Sequence, residues 1–123
     1  MLSFSQYLKS GLLTEEKLED FVNFASDELK LQEKPKIMLV QARDGNMTTA
    51  NYTPSTKEIK IYAKGRAFFD IARSLAHELV HHMQNENGKT LDGTTGSECE
   101  NEANSIAGKI IRMYGEKNPD FYE

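Results

Sequence analysis

The most regular hydrophobic pattern in the chain extends from about Ala67 to Asn85. Apolar residues recur there at spacings of three and four, which predicts a helix. They are Phe68, Ala72, Leu75, Leu79 and Met83, with Phe69, Ala76 and Val80 beside them. Because apolar residues cover much of the circumference, we expect this helix to be central in the fold and largely buried.

Two other segments carry a helical pattern, one on each side of the central helix. The first extends from about Thr14, its predicted N-cap, to Leu31, and its apolar face indicates a structural role. The second extends from about Glu98 to Tyr114, and we expect it to end at Gly115. We also expect a short helix over Leu2–Lys9 and a loosely held tail over residues 116–123.

Three strands are predicted between the first helix and the central helix. Lys36–Ala42 contains a short apolar run typical of a covered strand, and Met47–Thr53 is polar but rich in residues that strands tolerate. Glu58–Tyr62 alternates between polar and apolar residues, so one of its faces is expected to contact a core. Turn signals at Asp44–Asn46 and Thr53–Thr56 separate the three segments.

Length and charge limit the class of protein. The 123 residues suit one domain, 1–123, with a modest core. We predict an α+β fold, in which a small, mostly antiparallel three-stranded sheet packs on helices around the central helix. The net charge is −4 and no basic stripe is visible, which argues against nucleic acid as a partner.

The sequence also carries information on location and redox state. No apolar run approaches the roughly 20 residues needed to span a bilayer. Met1–Gln6 lacks the basic start and apolar core of a secretory signal, and the single cysteine, Cys99, excludes an internal disulfide. We therefore expect a cytoplasmic monomer that does not bind membranes.

The central helix carries the sequence His77-Glu78-Leu79-Val80-His81. Residues i and i+4 of a helix lie on the same face, so His77 and His81 can bind one metal ion. Glu78 is turned partly round the helix and can reach a water at that metal without being a ligand. His-Glu-x-x-His on a helix is the arrangement of zinc hydrolases, with Glu as general base. The alternative is a helix with a solvated polar face, which the surrounding apolar residues disfavour.

A catalytic zinc usually takes three protein ligands, and no histidine follows His82. The third ligand is therefore expected to be Cys99 or a carboxylate, and the carboxylates nearby are Glu98, Glu100 and Glu102. At about 100° per residue, Glu100 falls on the apolar side of the last helix, whereas Glu98 and Glu102 point away. The alternative interpretation is that all three acids serve the positive N-terminus of the helix.

The two motifs together resemble those of the gluzincin family of zinc metallopeptidases. His-Glu-x-x-His is followed by Glu-x-x-Ala-Asn at Glu100–Asn104, a pattern most similar to that of minigluzincins and ImmA/IrrE-like metallopeptidases. The resemblance spans about residues 47–114 and implies a zincin-like fold. It implies that Glu100 is the third zinc ligand and that Asn104, which stands where many members have Asp, steadies a ligand histidine.

The resemblance extends to the substrate cleft. Gluzincins have a β-hairpin before the metal helix, and its edge strand borders the cleft. Ala50-Asn51-Tyr52 resembles that strand and is expected to bind an extended peptide or protein substrate. Larger members stabilise the oxyanion with a His or Tyr from a C-terminal subdomain, for which this chain has no room. The candidate replacements are Tyr114, Tyr52 and Arg112.

The function implied by the resemblance is zinc-dependent peptide hydrolysis, with Zn²⁺ as cofactor and Glu78 as general base. Two alternatives remain. One is a zinc-binding regulatory module of the ImmA/IrrE type that acts on one specific protein partner. The other is a catalytically silent zinc domain, although a structural zinc is normally closed by four protein ligands and would leave Glu78 without a role.

Overall fold

The computed structural model describes residues 15–40, 49–91 and 96–122, which form helices and a small sheet. In chain order the elements are α1 (Glu15–Leu29), β1 (Lys36–Val40), β2 (Ala50–Thr53), β3 (Glu58–Tyr62), α2 (Phe68–Glu86), α3 (Glu98–Lys117) and a short 3-10 helix (Pro119–Tyr122). The α+β prediction is confirmed. The helix expected over Leu2–Lys9 lies outside the described residues. None of the helices in the described ranges has the length and apolar character needed to cross a membrane.

The sheet is mixed, so the prediction of a mostly antiparallel sheet is wrong. Its strand order is β1–β3–β2. β2 and β3 are antiparallel because only the short turn Pro54–Lys57 joins them, whereas β1 pairs with β3 in parallel. Ile59 and Ile61 of β3 are fully buried, which favours the central position for β3. The apolar run of β1 indicates a covered strand but does not specify its partner or its direction.

Helix α2 lies at the centre of the fold, as its apolar pattern predicts. It packs against α1, α3, β2 and β3. The residues of α2 without any exposed surface include Ala72, Leu75, Ala76, Leu79 and Val80. Rotating α2 about its axis would expose these side chains, so their burial fixes the directions in which the polar residues of the same helix point.

The C-terminal end differs from the prediction in two ways. Helix α3 continues through Gly115 to Lys117, because packing of this buried glycine outweighs its low helix propensity. The tail expected to be loosely held instead forms the 3-10 helix, which places Phe121 in the core at 3% exposure. The ring of Phe121 contacts the rings of Phe21, Phe68 and Tyr114.

Candidate metal centre

Three potential metal ligands meet where α2 packs against α3. They are His77 and His81 from α2 and Glu100 from α3, and their ligand atoms all lie within 4.8 Å of one another. The His81 Nε2 atom lies 2.6 Å from Glu100 Oε2 and 3.2 Å from His77 Nε2. The His77 Nε2 atom lies 3.2 Å from Glu100 Oε1. The structure thus brings together the three residues that were expected from the sequence to be ligands.

The start of α3 determines where Glu100 lies. Ser97 is the N-cap, and its side chain accepts a hydrogen bond of 3.2 Å from the backbone N–H of Glu100. From this starting point the helical rotation directs Glu100 toward α2, where its side chain is 21% exposed. Glu98, two residues earlier, is exposed. Glu100 therefore faces α2 and Glu98 faces solvent, as the rotation per residue of the helix predicts.

The ring of His81 is held in one tautomer by Gln84. Both N–H groups of the Gln84 amide are used, because its Nε2 donates to the backbone oxygen of Cys99 at 3.0 Å and to Glu102 Oε1 at 2.7 Å. The amide oxygen of Gln84 is therefore the acceptor for His81 Nδ1, at 2.8 Å. A neutral His81 protonated on Nδ1 keeps a lone pair on Nε2, the atom that faces the other two ligands.

Glu102 has a position that the sequence interpretation did not anticipate. We expected it to point away from the apolar side of α3, but its carboxylate reaches the end of α2. It accepts hydrogen bonds from Gln84 and from Lys89 Nζ, the latter at 3.1 Å, and these two contacts lower the pKa of its carboxyl group. The expectation fails because the angle of Glu102 round α3 gives no information on the segment that follows α2. That segment contains Lys89, which binds the Glu102 carboxylate.

Gln84, Glu102 and Lys89 are thus site residues that the sequence reasoning missed. A signal for Gln84 was present, since it is a polar residue three positions after His81 on a largely apolar helix. Gln84 has no exposed surface, and a buried amide requires partners. Nothing in the local sequence signals the pairing of Glu102 with Lys89, which depends on the crossing of two helices.

The surroundings of His77 favour its neutral form. Burial lowers its pKa, and the neighbouring His81 lowers it further. Glu100 and a hydrogen bond with the side chain of Asn104 act in the opposite direction. Asn104 is one turn beyond Glu100 on α3 and is exposed. The resemblance to gluzincins assigned it to steady a ligand histidine, and the structure has it beside His77.

Glu78 lies next to the three ligands but is not among them. Its carboxyl group is buried, which raises its pKa to about 8, and the nearby Glu100 carboxylate contributes to the rise. A carboxyl group with a pKa near neutrality can accept and return a proton during a reaction. The position of Glu78 therefore suits a general base better than a surface charge.

The donor set fits a metal ion. Two imidazole nitrogens and a carboxylate oxygen are typical protein ligands of a catalytic zinc. The Nε2 atoms of His77 and His81 and the carboxylate of Glu100 lie within 4.8 Å of one another. The carboxylate oxygens and any unprotonated Nε2 atom direct lone pairs into the same space, where they repel each other. A cation between them would relieve this repulsion. The set alone does not distinguish zinc from other divalent transition metals.

Two cavities adjoin the ligands and share Ala50, His77 and Glu78 in their walls. The larger, of about 650 Å³, extends toward the N-terminal half of α2. The smaller, of about 480 Å³, extends along β2 and also includes His81 and Glu100 in its wall. The ligands and Glu78 consequently face a groove that has β2 along one side.

Of the three candidate oxyanion stabilisers, Tyr52 is the one in the wall of a cavity beside the ligands. Tyr114 lies in the core and donates a hydrogen bond of 2.7 Å to Asp20 Oδ2, and burial raises its pKa. Arg112 is exposed on α3 and does not line either cavity. The sequence did not choose among the three, and their locations in the fold disfavour Tyr114 and Arg112.

The hydroxyl group of Tyr52 is part of a partly buried hydrogen-bond network. His82, which has no exposed surface, donates from Nε2 to the backbone oxygen of Glu33 at 2.9 Å. Its Nδ1 therefore accepts from the Tyr52 hydroxyl at 2.7 Å, and this hydroxyl accepts from Asn85 at 3.0 Å. His82 thus connects β2 to α2 and is not one of the clustered ligands.

Comparison with known proteins identifies no relative. No protein-family model matches the chain, and no curated protein or solved structure shows significant similarity to it. The resemblance to gluzincins consequently depends on the two helix motifs and on the geometry described above.

Proposed function

We propose that this protein is a zinc-dependent peptidase with a zincin-like arrangement of its metal helix. The observation that carries the proposal is the convergence of His77, His81 and Glu100 beside a buried Glu78. This combination of three ligands and a separate carboxyl group is what hydrolysis with a metal-activated water requires. The closeness of the three ligands and the burial of Glu78 beside them support this assignment of roles.

Each protein group has a defined part in the proposed reaction. Zinc, when bound, supplies a Lewis acid that activates water and polarises the scissile carbonyl. Glu78 accepts the proton of the attacking water and passes it to the leaving amine, since its carboxyl group lies in the wall of both cavities beside the ligands. Gln84 keeps the tautomer of His81 fixed, and Asn104 orients His77.

The substrate is proposed to bind as an extended peptide along β2. This strand is at an edge of the sheet, and within the described residues it pairs only with β3. Its free edge can therefore form backbone hydrogen bonds with a peptide. Ala50, Asn51 and Tyr52 of β2 line the smaller cavity, so a peptide bound there would lie beside Glu78.

A catalytically silent zinc domain is disfavoured by the same geometry. Such sites are normally closed by four protein ligands, whereas three are clustered among the described residues. The groove also gives solvent and substrate access to the cluster. A regulatory module that cleaves one specific protein would use the same four residues, so it is a narrower form of the proposed function.

The proposal is tested by incubating the zinc-loaded protein with a mixed peptide library and analysing the products by mass spectrometry. We expect hydrolysis by the wild type and at least about a hundredfold slower hydrolysis by Glu78→Gln, which cannot accept a proton at neutral pH. Zinc content, measured in parallel, should be equal in the two proteins. Undiminished hydrolysis by the variant would remove Glu78 from the mechanism.

A further inference from the structure

Strand β2 is attached to helix α2 on both sides of the candidate metal centre. Just before β2, Thr49 Oγ1 accepts a hydrogen bond of 3.3 Å from Ser74 Oγ. Toward the end of β2, the Tyr52 hydroxyl lies 2.7 Å from His82 Nδ1 and accepts a hydrogen bond of 3.0 Å from Asn85 Nδ2. The two attachment points therefore flank the segment of α2 that carries both ligand histidines.

The attachment at the end of β2 is the more extensive of the two. Asn85 Nδ2 also donates to the backbone oxygen of Pro54 at 3.2 Å, so it holds the turn that follows the strand. The rings of Tyr52 and His82 pack edge to face, with their centroids 5.4 Å apart. His82 is fully buried and is itself fixed, because its Nε2 donates to the backbone oxygen of Glu33. This end of β2 is thus held directly by the helix that carries the ligands.

The Tyr52 hydroxyl is engaged in these contacts and not with the ligand cluster. Tyr52 lines the smaller cavity, but its hydroxyl partners His82 and Asn85 line neither of the cavities beside the ligands. Because His82 Nε2 donates to Glu33, the hydroxyl proton is donated to His82 Nδ1. An oxyanion stabiliser would have to direct this proton toward the substrate. The contacts therefore favour a role in holding the strand.

We propose that Tyr52 and Asn85 are positioning residues that hold the substrate-binding strand β2 in place beside the metal centre, an inference that rests on the proposed peptidase function. A peptide paired with the free edge of β2 is located only as well as the strand itself. Ala50, between the two attachment points, lines both cavities together with Glu78. A strand that is fixed in advance reduces the entropic cost of binding the peptide there.

The position of β2 relative to the metal can be measured without turnover. Protein loaded with Co²⁺ in place of zinc gives pseudocontact shifts in NMR spectra, which report where each backbone amide lies relative to the ion. Tyr52→Phe removes the hydroxyl and keeps the ring. We expect the pseudocontact shifts of the Asn51 and Thr53 amides to change, while those of α3 are retained. Unchanged shifts along β2 would overturn the proposal, and failure to bind Co²⁺ would refute the metal centre and the proposal together.

Matched variants locate the effect. Tyr114→Phe also removes a hydrogen-bonded hydroxyl, but from a core residue that bonds to Asp20 and lines neither cavity, so the shifts of β2 should be retained. Equal changes along β2 in Tyr114→Phe and Tyr52→Phe would contradict a specific attachment. Asn85→Ala should change the same β2 amides as Tyr52→Phe, and the double variant should change them by less than the sum of the two effects. Additive effects would contradict a shared role.

Kinetics on a peptide that the wild type cleaves separate positioning from oxyanion stabilisation. We expect Tyr52→Phe to raise KM about tenfold with kcat unchanged, because the loosened strand weakens binding but leaves the reacting groups in place. A kcat about a hundredfold lower with KM unchanged would identify Tyr52 as an oxyanion stabiliser and overturn the proposal. Changed shifts along β2 without cleavage of any peptide would support the attachment of the strand and refute the peptidase function.

Discussion

At the scale of single residues, the candidate metal centre depends on side chains that are not ligands themselves. Gln84 fixes the tautomer of His81, and Glu102 together with the Cys99 carbonyl fixes the orientation of Gln84. Lys89 in turn binds Glu102. Partners of this kind usually change metal affinity by about 10- to 100-fold when removed, so their effect should be measurable.

Three neighbouring acids of α3 provide the test of this network. Glu100→Ala should weaken zinc binding most, because it removes a ligand and two histidines alone form a poor site. Glu102→Ala should weaken it by about 10-fold or more, because the loss frees Gln84. Glu98→Ala should leave zinc affinity unchanged and cost less than about 1 kcal/mol of stability at the helix N-terminus. Zinc titration of the three variants measures these differences.

The three substitutions remove the same side chain within five positions, so Glu98→Ala is a control for the loss of local charge. Release of the metal by Glu98→Ala with retention by Glu100→Ala would show that the ligand assignment is wrong. An affinity for Glu102→Ala equal to that of the wild type would instead refute the role of Glu102 in orienting Gln84.

At the scale of elements, the sequence predicted the positions of the helices and strands better than the pairing of the strands. The periodicity of α2 gave its bounds within one residue, because burial on most sides leaves a strong pattern. Within the described residues the strands were also found where predicted, whereas residues 41–42 and 47–48 of the predicted strands lie outside that part of the chain. The parallel pairing of β1 with β3 was missed. A hydrophobic pattern reports which side of a strand is buried, whereas its partner depends on the path of the chain in three dimensions.

The same distinction between local pattern and tertiary contact explains which residues of the candidate metal centre could be predicted. The shared face of His77 and His81 follows from helix geometry and could be predicted from the sequence, and the resemblance to gluzincins added Glu100. The position of Glu102 depends on the contact between α2 and α3. The end of α3 was mispredicted because Gly115 is a stop signal only where nothing packs against it. Hydrophobic pattern and helix geometry therefore predicted the single elements. The contacts between elements determined the features that the sequence did not predict.

The 3-10 helix that follows α3 is expected to contribute to the stability of the whole domain. Phe121→Ala removes a ring that is packed against Phe21, Phe68 and Tyr114 and should cost about 3 kcal/mol or more of unfolding free energy. Urea denaturation measures the change. Glu116→Ala, at an exposed position of the same region, is the control and should have little effect. A change below about 0.5 kcal/mol for Phe121→Ala would mean that the tail does not pack in solution.

At the scale of the whole molecule, the candidate metal centre joins two elements that a loop separates. His77 and His81 lie on α2 and Glu100 lies on α3, and these two helices form the most extensive contact between the elements that the structure describes. A metal ion bound by both helices would hold this contact together in the folded chain. The unfolded chain lacks the assembled ligand set, so the ion is expected to bind the native state preferentially.

Zinc should therefore raise the melting temperature of the protein. A ligand present at about 100 times its dissociation constant stabilises the native state by about 2.7 kcal/mol. For a domain of this size the corresponding rise is on the order of 10 °C. Thermal unfolding followed by circular dichroism, with excess zinc and with a chelator, measures the difference. His77→Ala is the control, because a protein that lacks one ligand should melt at nearly the same temperature in both conditions. Equal melting temperatures for the wild type with zinc and with chelator would contradict a metal site that bridges α2 and α3.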